Sequence, residues 1–197
     1  MRYRFLLVAA AILAVGAVGH ADQREEFFPL RGGNGGGSEF QLRCDPQIIG
    51  DYARIYVVGI EGYVGAWIDQ FWLLCGSGRG GFISNPQTLG KAGNGGGGDY
   101  FMRYCGNNSV LTGISLNTAL FEGGHTDVVN KLILECNIFD INDHAHPSQF
   151  HRLVFGQDDG HSPLSTEQCR PVFSRITGFR VRDGIYVDSL GIICTKN

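Results

Sequence analysis

The sequence repeats one pattern three times. Six cysteines fall into successive pairs, Cys44/Cys75, Cys105/Cys136 and Cys169/Cys194, whose members lie 31, 31 and 25 residues apart. Between the members of each pair stands a marker with an internal glycine: VVGI at 57–60, LTGI at 111–114 and ITGF at 176–179. From that glycine to the closing cysteine is 16 residues in the first and third copies and 23 in the second, which carries a seven-residue insertion. The first two copies open alike, with GGNGGGSEFQLRC from Gly32 and AGNGGGGDYFMRYC from Ala92, and the third lacks the glycine opening. Such self-similarity marks a repeat architecture, in which one unit buries its apolar face against its copies. Three divergent units closing on a shared core is the condition that any fold of this chain must meet.

Each unit reads as strands. Ile55 to Val58 is β-branched and aromatic, Gly62 to Gly65 punctuates, and Trp67 to Leu74 resumes the apolar pattern. The third copy repeats this around Asp183-Gly184, a pair that favours a hairpin turn. Trp67, Phe71, Trp72 and Phe179 are then expected in the core or on the sheet surface. No stretch shows the 3.6-residue spacing of an amphipathic helix. Thirty glycines against six prolines, with 11% aromatics, agree with short strands and tight turns. The expected fold class is all-β and three-sided.

Residues 1–21 read as an export signal: two arginines, the apolar run Phe5 to Val18, then small residues at Gly19-His20-Ala21. The run is shorter than the roughly 20 apolar residues of a membrane span. An N-terminal segment over 22–30 and one domain over 31–197 would follow, secreted or, in a bacterium, periplasmic. In an oxidising compartment six cysteines imply three disulfides; 15 connectivities are open, and the even spacing favours pairing neighbours along the chain. A net charge of −3 and a pI near 6.0 give no electrostatic case for nucleic acid.

The first and third copies end in the same phrase, GAWIDQFWLLC at 65–75 and GIYVDSLGIIC at 184–194. Together with the GGNGG opening and the threefold recurrence, this late Gly-x-x-x-Asp resembles the jacalin-related lectins over roughly Arg31 to Cys194. The resemblance implies a β-prism of three Greek-key, four-stranded sheets about a pseudo-threefold axis. The disulfide set departs from typical plant members and is similar to the vitelline membrane outer-layer proteins, which are secreted, disulfide-rich, three-repeat β-prisms.

In the lectins, the phrase and a neighbouring glycine loop take vicinal hydroxyls of a hexose. The chemistry suits the residues: a carboxylate makes charge-assisted hydrogen bonds to hydroxyls, and glycine lets backbone donors approach closely. Carried over, one pocket would join Gly184, Ile185, Tyr186 and Asp188 to the Gly33–Gly36 loop, with Gly33, Gly35 and Gly36 contributing. A second would join Gly65, Ala66, Trp67 and Asp69 to the loop holding Gly95 and Gly97. In the middle copy, TDVVNKLILEC at 126–136, the Asp position holds Asn130 and the Gly position Thr126, so no third pocket is expected. GGHTD at 123–127 restores the spacing out of register. An Asp beside a β-turn also caps local backbone N–H groups without binding anything.

Other chemistry is sparse. DINDHAHPSQFH, residues 140–151, clusters His144, His146 and His151 with Asp140 and Asp143, a zinc-like donor set. Pro147 and a position between repeats favour a polar surface loop there, and no metal or other cofactor is expected. Asp158-Asp159-Gly160 reads as a turn, and Asn107-Asn108-Ser109 as a glycosylation sequon. There is no GxSxG, HExxH or P-loop, and no enzyme is expected. The expectation is a secreted, non-catalytic protein with glycans or glycoproteins as partners and homo-oligomers left open. The alternative is a structural or interaction protein of an extracellular layer or envelope that binds no sugar.

Overall fold

A computed structural model describes residues 24–45, 55–79, 82–83, 86–106, 108–121, 126–139, 145–157, 162–170 and 175–195. Residues 1–21, which read as an export signal, Asp158 to Gly160, Asn107 of the sequon, and residues 140–144 of the histidine segment lie outside them. Among the described residues every regular element is a strand. The chain opens with β1 (Glu25–Phe27), β2 (Arg31–Gly32) and β3 (Phe40–Arg43). It continues with β4 (Ile55–Val64), β5 (Ile68–Arg79), β6 (Phe82–Ile83), β7 (Gln87–Ala92) and β8 (Asp99–Tyr104). The middle copy supplies β9 (Ser109–Leu120), β10 (Asp127–Phe139), β11 (Ala145–Gly156) and β12 (Ser165–Gln168). The last hairpin is β13 (Arg175–Asp183) and β14 (Val187–Thr195).

Three hairpins, β4–β5, β9–β10 and β13–β14, centre three antiparallel sheets, each with a four-strand path. In the first two, the strands that follow in the chain fold back as flanks: β7 beside β5 and β8 beside β4, then β11 beside β10 and β12 beside β9. This is the Greek-key order. The third hairpin takes its flanks from the start of the chain, with β1 and β2 sharing the outer edge of β14 and β3 lying along β13. The sheets are therefore offset from the sequence repeats. The second and third opening segments, which sequence groups with the copy after them, are hydrogen-bonded to the hairpin before them, and the first is hydrogen-bonded to the last hairpin.

The recurrent glycine markers are β-bulges. In all three hairpins the register slips by one residue at the marker, leaving Val58, Thr112 and Thr177 unpaired. The carbonyl of each bulged residue accepts the N–H of the cysteine that ends the neighbouring flank: Cys105 to Val58 (2.7 Å), Cys169 to Thr112 (2.9 Å) and Cys44 to Thr177 (3.1 Å). The next residue must be small because the flank crosses it. A Cβ on Gly59 would stand 2.6 Å from Tyr104 Cα.

All three disulfides pair neighbours along the chain, as the spacing favours. Each joins the flank of one sheet to the hairpin of the next. Cys44 after β3 reaches Cys75 on β5, Cys105 after β8 reaches Cys136 on β10, and Cys169 after β12 reaches Cys194 on β14. The ring of staples encloses one apolar core. Phe71 and Phe179 meet edge-on at 6.0 Å, and Phe101 meets Phe155 at 4.5 Å. Ile60, Leu73, Ile114, Leu132 and Leu190 fill the space between the sheets, each burial contributing about 1.5–3 kcal/mol.

Two expectations fail. Gly62 does not break a strand but lies inside β4, where a Cβ would strike the Gln70 carbonyl of β5. From Ala145 the histidine segment is not a loop but the flank β11, whose edge position tolerates Pro147.

Replacing Cys44 and Cys75 together by alanine frees a 31-residue loop. The expected loss is about 3.5 kcal/mol, or about 7–14 °C in Tm for a domain of this size. Calorimetry of the variant against wild type measures it, and a fall below about 2 °C would show that the staple constrains little.

Candidate functional site

A second bulge recurs at the far end of each hairpin. There the register slips at Asp69, Asn130 and Asp188, so one equivalent residue per copy is turned out of the ladder. Its backbone carbonyl faces the loop that follows the outer flank. Gly33 N–H donates to Asp188 O at 2.9 Å and Gln157 N–H to Asn130 O at 3.1 Å. Residue Arg31 sits opposite Leu190, Ala92 opposite Phe71, and Phe155 opposite Leu132. Gly32, Gly93 and Gly156 are thus equivalent, one residue off the match of the two openings by eye, and all have positive φ. A Cβ on any of them would collide with the bulge carbonyl. The third opening has kept the one glycine that the bulge requires.

Beyond this glycine the loops cover the bulged side chains. Gly35 and Gly36 lie against the Asp188 carboxylate, where a Cβ on Gly35 would stand 2.6 Å from Oδ1. Gly95 approaches Asp69 in the same way, its Cβ position 3.2 Å from Oδ1, and that of Gly97 is 3.8 Å away. The two expected pairings, Gly33–Gly36 with Asp188 and Gly95–Gly97 with Asp69, are brought together in space. Asp69 and Asp188 are only 6% and 5% exposed, and Oδ2 of each has no hydrogen-bond partner among the described residues. Asn130 is fully buried, and both its amide atoms are likewise unpartnered there.

A carboxylate in such a place resists ionisation. Burial raises the pKa of Asp69, opposed by the Gly65 N–H. Burial also raises that of Asp188; the negative charge of Asp183 adds to the rise, while Arg182 and the Gly184 N–H oppose it. Each site therefore holds a buried carboxylate whose Oδ2 has no hydrogen-bond partner among the described residues.

The hairpin tips are tight: Gly65 N–H donates to Trp67 O and Gly184 N–H to Tyr186 O, both at 3.0 Å. Ala66 and Ile185 are exposed at these tips, Ile185 by 63%. Trp67 and Tyr186 do not stand alone over separate pockets. Together with Phe121 of the middle copy they form a half-buried trio with ring centroids 5.2–5.4 Å apart. The first glycine loop also leans on the middle copy, where a Cβ on Gly35 would stand 3.0 Å from Thr126 Cβ. The second leans on the third copy through two hydrogen bonds to Ile185 O, from Asn94 N–H (2.9 Å) and Gly95 N–H (2.6 Å).

Sequence reasoning missed Phe121, Asn94 and this second set of neighbours. Phe121 offered no signal, because it precedes the insertion rather than following a Gly-x-x-x-Asp glycine. Of the proposed zinc donors, His151 is described and lies exposed on β11 opposite Cys136. Among the described residues no group of three potential metal ligands forms, and no helix is long and apolar enough to cross a membrane.

Three Greek-key sheets about a common core, with glycine loops at one end, define a β-prism. The fold is that of the jacalin-related lectins. Artocarpin, described as a lectin with mannose specificity, superposes with a TM-score of 0.59 at 16% identity, over 88% of this chain and 99% of that one. Calystegia sepium agglutinin gives 0.56 at 18% identity over 87% and 99%. A mannose-specific jacalin-related lectin from Morus nigra, solved with mannose, gives 0.52 at 16% identity over 91% and 98%. No protein-family model matches the sequence, and no curated protein matches it.

The raised carboxyl pKa values predict a stability effect whose sign is fixed. An acid whose pKa is higher folded than unfolded destabilises the fold above its folded pKa, and that cost is relieved as pH falls through it. Asp69→Asn and Asp188→Asn should each raise Tm at pH 7, because Asn130 shows that the site accommodates an amide. The gain should vanish toward about pH 3.5, near the unperturbed carboxyl range. Thermal melts at the two pH values measure it; a gain equal at both would refute the assignment.

Proposed function

We propose that the protein is an exported, non-catalytic carbohydrate-binding protein whose first and third copies each hold a hexose. The carrying observation is the repeated pairing of a glycine loop with a buried carboxylate whose Oδ2 has no hydrogen-bond partner among the described residues. Vicinal hydroxyls can donate to the carboxylate, and backbone N–H groups of the loop can donate to the sugar in return. Export through residues 1–21 into an oxidising compartment is part of the proposal, supported by the three disulfides. Shallow single-hexose sites bind weakly, so useful avidity would come from engaging both pockets, or several protomers, on one branched glycan.

A glycan array with folded, oxidised protein tests the reading, with mannose, named for two of the similar structures, as the first sugar. Asp69→Ala and Asp188→Ala should each weaken their own pocket by about 10–100-fold, the worth of a hydrogen bond to a charged group. The double variant should lose binding while keeping its melting transition. An array blank for wild type would overturn the sugar reading.

One observation favours a second reading, an interaction module of an extracellular layer. Tyr100, Met102 and Tyr104 of β8 are about half exposed in a row, with Tyr63 edge-on to both Trp72 and Tyr100. A partner bound there would be retained by the double variant.

A further inference from the structure

The two glycine loops are not held independently. Asp183, the last residue of β13, touches both. Its backbone carbonyl accepts the N–H of Gly37, at the end of the first loop, at 2.7 Å. Its carboxylate Oδ2 accepts the N–H of Gly93, at the start of the second, at 2.5 Å. The residues after it add to the second set of contacts: Gly184 O accepts the Asn94 side-chain amide at 3.3 Å, and Ile185 O accepts Asn94 and Gly95. The loop that closes on Asp69 is thus anchored on the tip that carries Asp188. A glycine-rich segment loses more conformational freedom on ordering than any other, so its few tethers decide whether it stays in place. A carboxylate accepting a backbone N–H is among the stronger tethers available.

We propose that Asp183 is a positioning residue shared by both pockets, fixing the Asp188 loop through its main chain and the Asp69 loop through its side chain. This rests on the hexose-binding reading for its functional consequence but not for its structural one. The two pockets share a wall, and the side chain of Asp183 is the part of that wall a substitution can remove. Removal leaves the carbonyl bond to Gly37 and takes away the acceptor at Gly93. The Asp69 loop should then loosen while the Asp188 loop stays ordered.

The experiment compares wild type, Asp183→Ala and Asp183→Asn by amide hydrogen exchange, and by mannose titration in an Asp188→Ala background where only the Asp69 pocket can respond. Asp183→Ala should speed exchange at Gly93 by about tenfold or more, the loss of one hydrogen bond to a charged group, with Gly37 unchanged. Mannose affinity at the Asp69 pocket should fall by a similar factor. Asp183→Asn, which keeps an acceptor, should restore most of both. Unchanged exchange at Gly93 in the alanine variant would overturn the proposal. So would equal loss of protection at Gly37 and Gly93 with no recovery in the asparagine variant. If wild type is blank on the glycan array yet the exchange pattern appears, the positioning role stands and the hexose reading falls.

Discussion

The structure depends on a joint made three times: a bulged residue offers its carbonyl to the N–H of a half-cystine on the neighbouring flank. Without the bulges at Val58, Thr112 and Thr177, the flanks would stay in flat registry with their hairpins. The bulge and the glycine after it let the flank cross, and the cysteine it delivers is bonded to the next hairpin. Sheet-to-sheet orientation is therefore set by hydrogen bonds and covalent links as well as by apolar packing. The cycle of links is closed, each sheet being tied through disulfides to both of its neighbours.

The second ring of bulges, at Asp69, Asn130 and Asp188, serves another purpose. In all three copies a positive-φ glycine packs against its carbonyl, and those of Asp188 and Asn130 accept a loop N–H, a requirement of folding that Asn130 meets without a carboxylate. Two copies place an acid in that buried position, where desolvation makes the charge costly. Local stability gives no reason for it, because burying a charge without donors for both oxygens is unfavourable. The proposed sugar-binding role would account for a charge placed at two related positions where the third carries a neutral amide.

Much of this was legible in the sequence, for reasons that can be stated. The cysteine spacing was readable because each copy spans the same path from flank to hairpin, and the insertion in the middle copy falls clear of both ends. The VVGI, LTGI and ITGF markers were visible as a recurrence, although a bulge leaves no trace of itself beyond the glycine after it. The offset between sequence repeat and sheet was not readable, because strand pairing across the chain ends is non-local and GGNGG looks the same whichever hairpin it joins. Gly62 was misleading because glycine marks close approach as well as turns. Asp183 was read with Gly184 as the turn and is instead the last residue of β13, with the tip beginning at Gly184; that its carboxylate reaches a loop 90 residues away in sequence is a tertiary fact.

The placement of β1, β2 and β3 beside the last hairpin has a consequence for how the molecule comes into being. Those strands are synthesised before any of the hairpins, yet their hydrogen-bonding partners, β13 and β14, come after every other strand described. Until then Cys44 can find Cys75, but β2 and the first glycine loop have nothing to rest on. Completion waits on a long-range closure of the kind that slows β-proteins and leaves their edges exposed meanwhile. The proposed Asp188 pocket, built from both ends of the fold, exists only after that closure, so its occupancy would certify a finished molecule.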